Sequence, residues 1–280
     1  ARSSGAQVVA ASHSEVILNE AADRDVVVAF VGAPHRIDDR GSQVAKSLKS
    51  IGFEDYVKAE ETGWVLYLEG ATDLAILAAF ARTLRHRAAP LLERPFVKYI
   101  ENQPKKARDH FYGVRVAKSD LVGFVLTDNL GHLEEGGPEL PVRQWLRREI
   151  ENYLCFPDVL VAYAESLAAA RAPGPLFADT EVDRFRDTMN RIARERIPPA
   201  AFRDRGDRWW SSVKASDDFL DPVFEEFFKE LGLPNLMRKS DYHRLAGLVP
   251  AAEIAPEVAE VLDAIAAQAA RARPVQGDDE

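Results

Sequence analysis

The apolar positions of the first 165 residues fall in short runs separated by polar stretches, whereas beyond about residue 166 they recur at helical spacing. Gln7-Val8-Val9-Ala10-Ala11 and Val26-Val27-Val28-Ala29-Phe30-Val31 are strand-type runs flanking a helical stretch over 16–22, for which Ser14 is the expected N-cap. Strand, helix and strand in this order predict a parallel α/β unit. Residues 35–62 read as a connector containing a helix through Val44, Leu48 and Ile51, ended by Gly52. Next come an apolar strand over 64–68, a helix over 74–84, and a strand Phe96-Val97-Lys98-Tyr99-Ile100. Leu121-Val122-Gly123-Phe124-Val125-Leu126 is a continuous apolar run of the kind found in a buried central strand. A short segment over 140–146 suits a further strand. Ile150, Tyr153 and Leu154 share one face of a helix predicted over 147–154, and Pro157 starts another through Leu160, Tyr163 and Leu167. From 166 to 272 the spacing predicts helices, punctuated by Gly232, Pro234 and Pro250, and then a disordered acidic tail over 274–280. The pattern thus predicts an α/β fold with a parallel sheet flanked by helices, followed by a mostly helical region.

The 280 residues suffice for one large or two ordinary domains with a substantial core. The first residues, Ala1-Arg2-Ser3, include no methionine, so the chain reads as processed or as a piece of a longer one. A single cysteine, Cys155, leaves no internal disulfide framework and fits a reducing, cytoplasmic compartment. No apolar run has the length of a membrane span, so no membrane partner is expected. The net charge of −9 argues against a uniformly basic surface that coats nucleic acid, but not against nucleic acid as a substrate. Arg184, Arg186, Arg191, Arg194, Arg196, Arg203, Arg205 and Arg208 form a local cluster. Glu181, Asp183, Asp187, Glu195, Asp204 and Asp207 are interspersed among them, so a salt-laced helical face is the plainer reading.

Candidate chemistry collects where predicted strands meet loops. The strand over 64–68 stops on Glu69-Gly70, and Asp73 stands four residues on, where the next helix begins. The central strand ends in Thr127-Asp128, and Glu149 and Glu151 lie in the segment after the third strand. Carboxylates at the C-terminal ends of parallel strands suit a ligand site, although a strand that merely ends on Glu69 beside a helix capped by Thr72 reads equally well from pattern alone. Hard divalent cations take oxygen ligands, and Mg²⁺ in phosphoryl-transfer sites is held by a few carboxylates with water. His13 sits in a strand-to-helix loop, where a lone histidine is more often a capping or surface residue than a catalytic one.

Two sets of residues carry a family resemblance. "VLYLEGATDLAIL", "LVGFVLTDNLG" and "RREIENYL" resemble the Toprim domain of overcoming-lysogenization-defect (OLD) ATPases, the module shared with topoisomerases and primases. "QVVAASHSEVILNEA" resembles the last strand and switch-histidine loop of ABC-type ATPase heads. The resemblance implies three parts. Residues 1–56 would be the C-terminal piece of an ABC-type ATPase domain with a connector, 57–165 a Toprim-like domain, and 166–280 a helical C-terminal region. It implies a metal-dependent endonuclease, with Mg²⁺ or Mn²⁺ as cofactor and DNA or RNA as substrate, acting in phage defence or DNA processing. Glu69, Asp73 and Asp128 match the family's acidic positions, and Glu151 is the preferred match for the downstream acid; helical geometry alone does not separate it from Glu149. His13 would approach the γ-phosphate of ATP, but only in a complete ATPase head. The chain has no G-x-x-x-x-G-K-[ST] phosphate loop, so ATP binding requires a missing ATPase part as partner. Heads and nucleases of these kinds commonly dimerise, which makes a homodimer compatible with the resemblance.

One departure stands out. A D-x-D motif beginning at Asp128 needs an aspartate at 130, where this chain has Leu130, although Glu134 or Glu135 could approach from the following loop. Lys214 and Lys239 are candidates for the basic residue that assists in such nucleases, each also readable as a surface lysine. The alternative is a catalytically weakened Toprim-like domain that regulates or scaffolds an ATPase complex.

Overall fold

The computed structural model describes residues 7–12, 14–22, 25–30, 34–36, 52–132, 136–171 and 175–275. His13, Glu134, Glu135 and the helix expected through Val44 and Leu48 lie outside the described residues.

The helix α1 (Glu15–Ala22) forms where the sequence predicts it. The parallel unit around it does not appear among the described residues. Residues 7–12 pair with no strand, and β1 (Val28–Ala29) pairs antiparallel with β2 (His35–Arg36). The connector holds a further helix, α2 (Phe53–Thr62), which Gly52 opens with φ +103. Gly52 therefore starts a helix here, and that helix spans the expected boundary at 56/57. Phe53 and Tyr56 pack with Val27 and Ala117 into a small apolar cluster that ties this part to the rest. The helix stops at Gly63, whose φ of +68 lets its N–H reach the Ala59 carbonyl at 2.9 Å.

The central sheet contains β3 (Trp64–Leu68), β4 (Val97–Tyr99), β5 (Val122–Thr127) and β6 (Val142–Gln144) in the order β4–β3–β5–β6, all parallel. β3 and β5 occupy the middle and are buried along their whole length, as their unbroken apolar runs require. Side-chain alternation divides the core. Val65, Tyr67 and Val125 face α4 (Pro104–Arg115) through Ala107, Phe111 and Val114. Leu66, Leu68, Phe124 and Leu126 face the other side, where α3 (Ala71–Thr83) supplies Ile76, Leu77 and Phe80.

The second face carries nearly all the remaining mass. α5 (Pro157–Arg171), α6 (Pro175–Arg196), α9 (Asp221–Glu230) and α11 (Pro256–Ala269) pack there, with shorter helices α7 (Pro199–Arg203), α8 (Trp209–Ser212) and α10 (His243–Ala246) between them. One continuous apolar cluster runs from Trp64 in β3 through Phe224 and Phe228 to Ala269 in α11. The helical region therefore shares its core with the sheet. No strand occurs among its described residues, as the 3.6-residue spacing predicts. Of the tail expected to be disordered, only residues 274 and 275 are described, and the chain is held there. Val275 donates to the Glu60 carbonyl at 2.9 Å, and Lys118 Nζ donates to the Arg273 carbonyl at 3.0 Å.

The arginine cluster resolves as a paired surface. Arg191 reaches Glu195 and Glu230, Arg196 reaches Glu226, and Arg205 bridges Asp158 and Glu253. These ion pairs tie α6 to α9, and the loop after α7 to α5. They use up charge that a phosphate-binding face would need.

Candidate functional site

All four strands end at the same edge of the sheet, and acidic residues follow each of them. Glu69 follows β3, Glu101 and Asn102 follow β4, Asp128 follows β5, and Glu149 and Glu151 follow β6. The carboxyl edge of an open parallel sheet is where loops diverge and a crevice opens. Here these residues, together with Asp73, line one cleft of about 340 Å³. Its far wall comes from the helical region, as Lys214, Ser216, Asp217 and Lys239.

The helix α3 begins at Ala71, two residues earlier than a Thr72 cap requires, and Gly70 is its N-cap in extended conformation. No side chain caps it from that position. Burial, and after it the charge of Glu69, push the Asp73 carboxyl up to about 7, with the nearby backbone N–H groups of Glu69, Gly70 and Asp73 acting in the opposite direction.

Asp128 is gripped by Asn102. The Asp128 N–H donates to Asn102 Oδ1 at 3.0 Å, and Asn102 Nδ2 donates to Asp128 Oδ2 at 3.0 Å. Burial raises the affinity of Asp128 for its proton, and a hydrogen bond to the Glu69 carboxyl and the charges of Glu69 and Asp73 raise it further. Two carboxyl groups this close cannot both be ionised cheaply, so Asp128 keeps its proton unless a cation sits beside it.

The segment over 147–154 is not the helix that the sequence predicts. It forms a single 3-10 turn, Ile150–Tyr153, with Glu149 as N-cap and a reciprocal capping box between Glu149 and Asn152. The buried Ile150, Tyr153 and Leu154 still supply the expected apolar face. The Asn152 side chain donates to the carbonyls of Trp210 and Val213, both at 3.0 Å, which fastens the turn to the helical region. Glu149 accepts the Ser216 N–H, so its carboxylate serves partly as a strut. Glu151 is buried; desolvation, then the charges of Glu149, Asp73 and Glu69, push it up to about 8.

Five carboxyl groups are thus brought together: Glu69, Asp73, Asp128, Glu149 and Glu151. Leu130 contributes no polar group and is 42 % exposed. Across the cleft, Lys214 and Lys239 both pair with Asp217, and hydrogen bonds to that carboxylate make each lysine hold its proton more firmly than usual. They are cations facing a basin of acids. Sequence reasoning missed Asn102, Ser216 and Asp217. The first looked like part of an ordinary strand end before Pro104, and nothing in the chain's pattern points to the other two.

The donor set is all oxygen, crowded and partly buried, which is the chemistry a hard divalent cation prefers. Among the described residues, however, no group of three or more His, Cys, Asp or Glu side chains is arranged as a finished metal site. The carboxylates converge on the cleft without closing a coordination shell. Also among the described residues, no helix is long and apolar enough to cross a membrane. Comparison of the chain with protein-family models, with characterised proteins and with solved structures returns no match.

Proposed function

We propose that this chain is a metal-dependent domain that cleaves phosphodiester bonds of nucleic acid, of the OLD-like Toprim kind, working under an ABC-type ATPase. The observation that carries the reading is the convergence of Glu69, Asp73, Asp128 and Glu151 from three strand ends of a parallel sheet into one cleft, with two lysines on its opposite wall. Glu69 and Asp128 would hold Mg²⁺ or Mn²⁺, with Asp73 and Glu151 completing the set. Such an ion, when bound, polarises the phosphodiester and eases formation of hydroxide near neutral pH.

The chain's own groups supply the remainder. Lys214 and Lys239 can leave Asp217 for the non-bridging oxygens of a phosphate, which places that anion opposite the acids. Asp73, with its carboxyl poised at about 7, can take up or release a proton at a carboxylate oxygen near physiological pH. The N-terminal part supports an attached ATPase. Val8, Val9, Val16, Ile17, Val26 and Phe30 are all exposed there, an apolar surface that a larger domain would cover. In this reading ATP, and His13 with it, act only once that head is complete.

A second reading has its own support. Leu130 in place of an acid, and the absence of a finished metal site among the described residues, favour a domain that keeps the architecture and scaffolds or regulates an ATPase complex without cutting.

The test is cleavage of supercoiled DNA, single-stranded DNA and RNA by the purified chain in Mn²⁺, alone and with an ABC-type ATPase from the same source. Cleavage that Glu69→Ala and Asp128→Ala both abolish supports the nuclease. Intact substrates in every condition, with no millimolar Mn²⁺ binding by calorimetry, leave the scaffold.

A further inference from the structure

The turn after β4 is built in a conformation its residues do not favour. Glu101 and Asn102 both lie in the left-handed region, with φ +51 and +56, although neither is glycine. Asparagine tolerates that region better than most residues, glutamate does not, and two in succession need surroundings that enforce them. Three bonds do so. Glu101 N–H donates to the Glu69 carbonyl at 3.1 Å, and Gln103 N–H donates to the Ile100 carbonyl at 2.9 Å. The third restraint is the Asn102 amide, doubly bonded to Asp128. The turn therefore touches the main chain at Glu69 and both the main chain and side chain at Asp128.

We infer that Asn102 is the positioning residue of Asp128: its amide clamps the Asp128 N–H and carboxyl Oδ2 together and fixes the direction in which that carboxyl faces the cleft. A single amide spanning backbone and carboxyl of one residue opposes rotation about both side-chain bonds of the aspartate. With its Oδ1 accepting the Asp128 N–H and its Nδ2 bonded to Oδ2, Asn102 orients the carboxyl from both sides. The clamp matters more here because Leu130, two residues on, brings no polar group to the same strand end. Strain in the turn fits this role, since a relaxed turn after β4 would aim position 102 elsewhere.

The inference rests on the metal-site reading for its functional consequence, so the experiment reads the clamp and the cation separately. Asn102→Gly accepts the left-handed backbone and removes only the amide, and a thermal melt monitors its folding. Without added cations, the Asp128 amide should exchange with solvent about tenfold faster than in the wild type while the amides of Val122–Thr127 keep their rates. Mn²⁺ affinity measured by calorimetry should fall by about tenfold or more, the usual scale when an outer partner of a ligand is removed. Unchanged Asp128 exchange overturns the inference. So does faster exchange with wild-type Mn²⁺ affinity, because the amide would then be merely structural. Wild-type protein that binds no Mn²⁺ overturns the metal reading instead, and the exchange rate alone then decides the clamp: faster exchange upholds it, and an unchanged rate ends it.

Discussion

Replacing Glu151 by glutamine should make the protein more stable, by an amount that grows as pH rises from about 4.5 to about 8. Glu151 is enclosed at the 3-10 turn after β6, where burial and then the charges of Glu149, Asp73 and Glu69 push its carboxyl up to about 8 from an ordinary 4.5. Such a displacement corresponds to a differential interaction of up to ~5 kcal/mol between the protonated and ionised forms. The folded state binds the proton more tightly than the unfolded chain, so stability falls as pH rises from about 4.5 to about 8 and then levels off. Glutamine keeps the volume and cannot ionise. Asp73 repels the same charge, so the two contributions overlap and the full figure should not be realised. The expected gain is ~2–4 kcal/mol at pH 9, shrinking to within ~1 kcal/mol at pH 5. Guanidinium unfolding followed by tryptophan fluorescence at pH 5, 7 and 9 measures it, with buried Trp145 and Trp210 as reporters. Mn²⁺ added at pH 9 should restore stability to the wild type more than to Glu151→Gln. Equal stability of the two proteins at all three pH values would refute the electrostatic account of the cleft.

Three more outcomes follow from the same structure. Burial alone would raise the Asp55 carboxyl, but hydrogen bonds from His110 and Lys98 outweigh it and hold it below the usual range; stability from this group should be present above about pH 4 and lost as pH falls further, and Asp55→Asn should cost ~1–3 kcal/mol at pH 7 in denaturant melts. Gly63→Ala should cost at least ~1–2 kcal/mol by thermal melt, because φ is +68 and a Cβ would stand 2.7 Å from the Arg273 backbone. Lys214→Ala with Lys239→Ala should weaken oligonucleotide binding and flatten its salt dependence by about two phosphate contacts, which fluorescence anisotropy across a salt series would show.

The strands and the helical spacing were legible because they rest on local periodicity. β3 and β5 declare themselves as unbroken apolar runs, and a strand buried on both faces needs that composition. The acids at their ends were legible for the same reason: the end of an apolar run marks the sheet's edge, and Glu69 follows Leu68 directly while Asp128 follows Leu126 after Thr127. The 147–154 segment misled, since its apolar spacing suits one helical face while a capping box and bonds from Asn152 to the carbonyls of Trp210 and Val213 hold it as a single turn. The N-terminal pattern misled in a related way. Among the described residues, one strand-like run pairs antiparallel over two residues and the other pairs with no strand.

The chain by itself determined a parallel sheet with acidic strand ends and a helical remainder, since nearest-neighbour chemistry and side-chain period are properties of sequence. Only the tertiary structure decided what faces those acids. Asn102 reaches Asp128 across 26 positions, Ser216 reaches Glu149 across 67, and Lys214, Asp217 and Lys239 form the opposite wall from a region that shows no motif. Those encounters depend on how the continuous core folds the helices back over one face of the sheet. Burial and crossing of elements, not spacing along the chain, set the charges in the cleft.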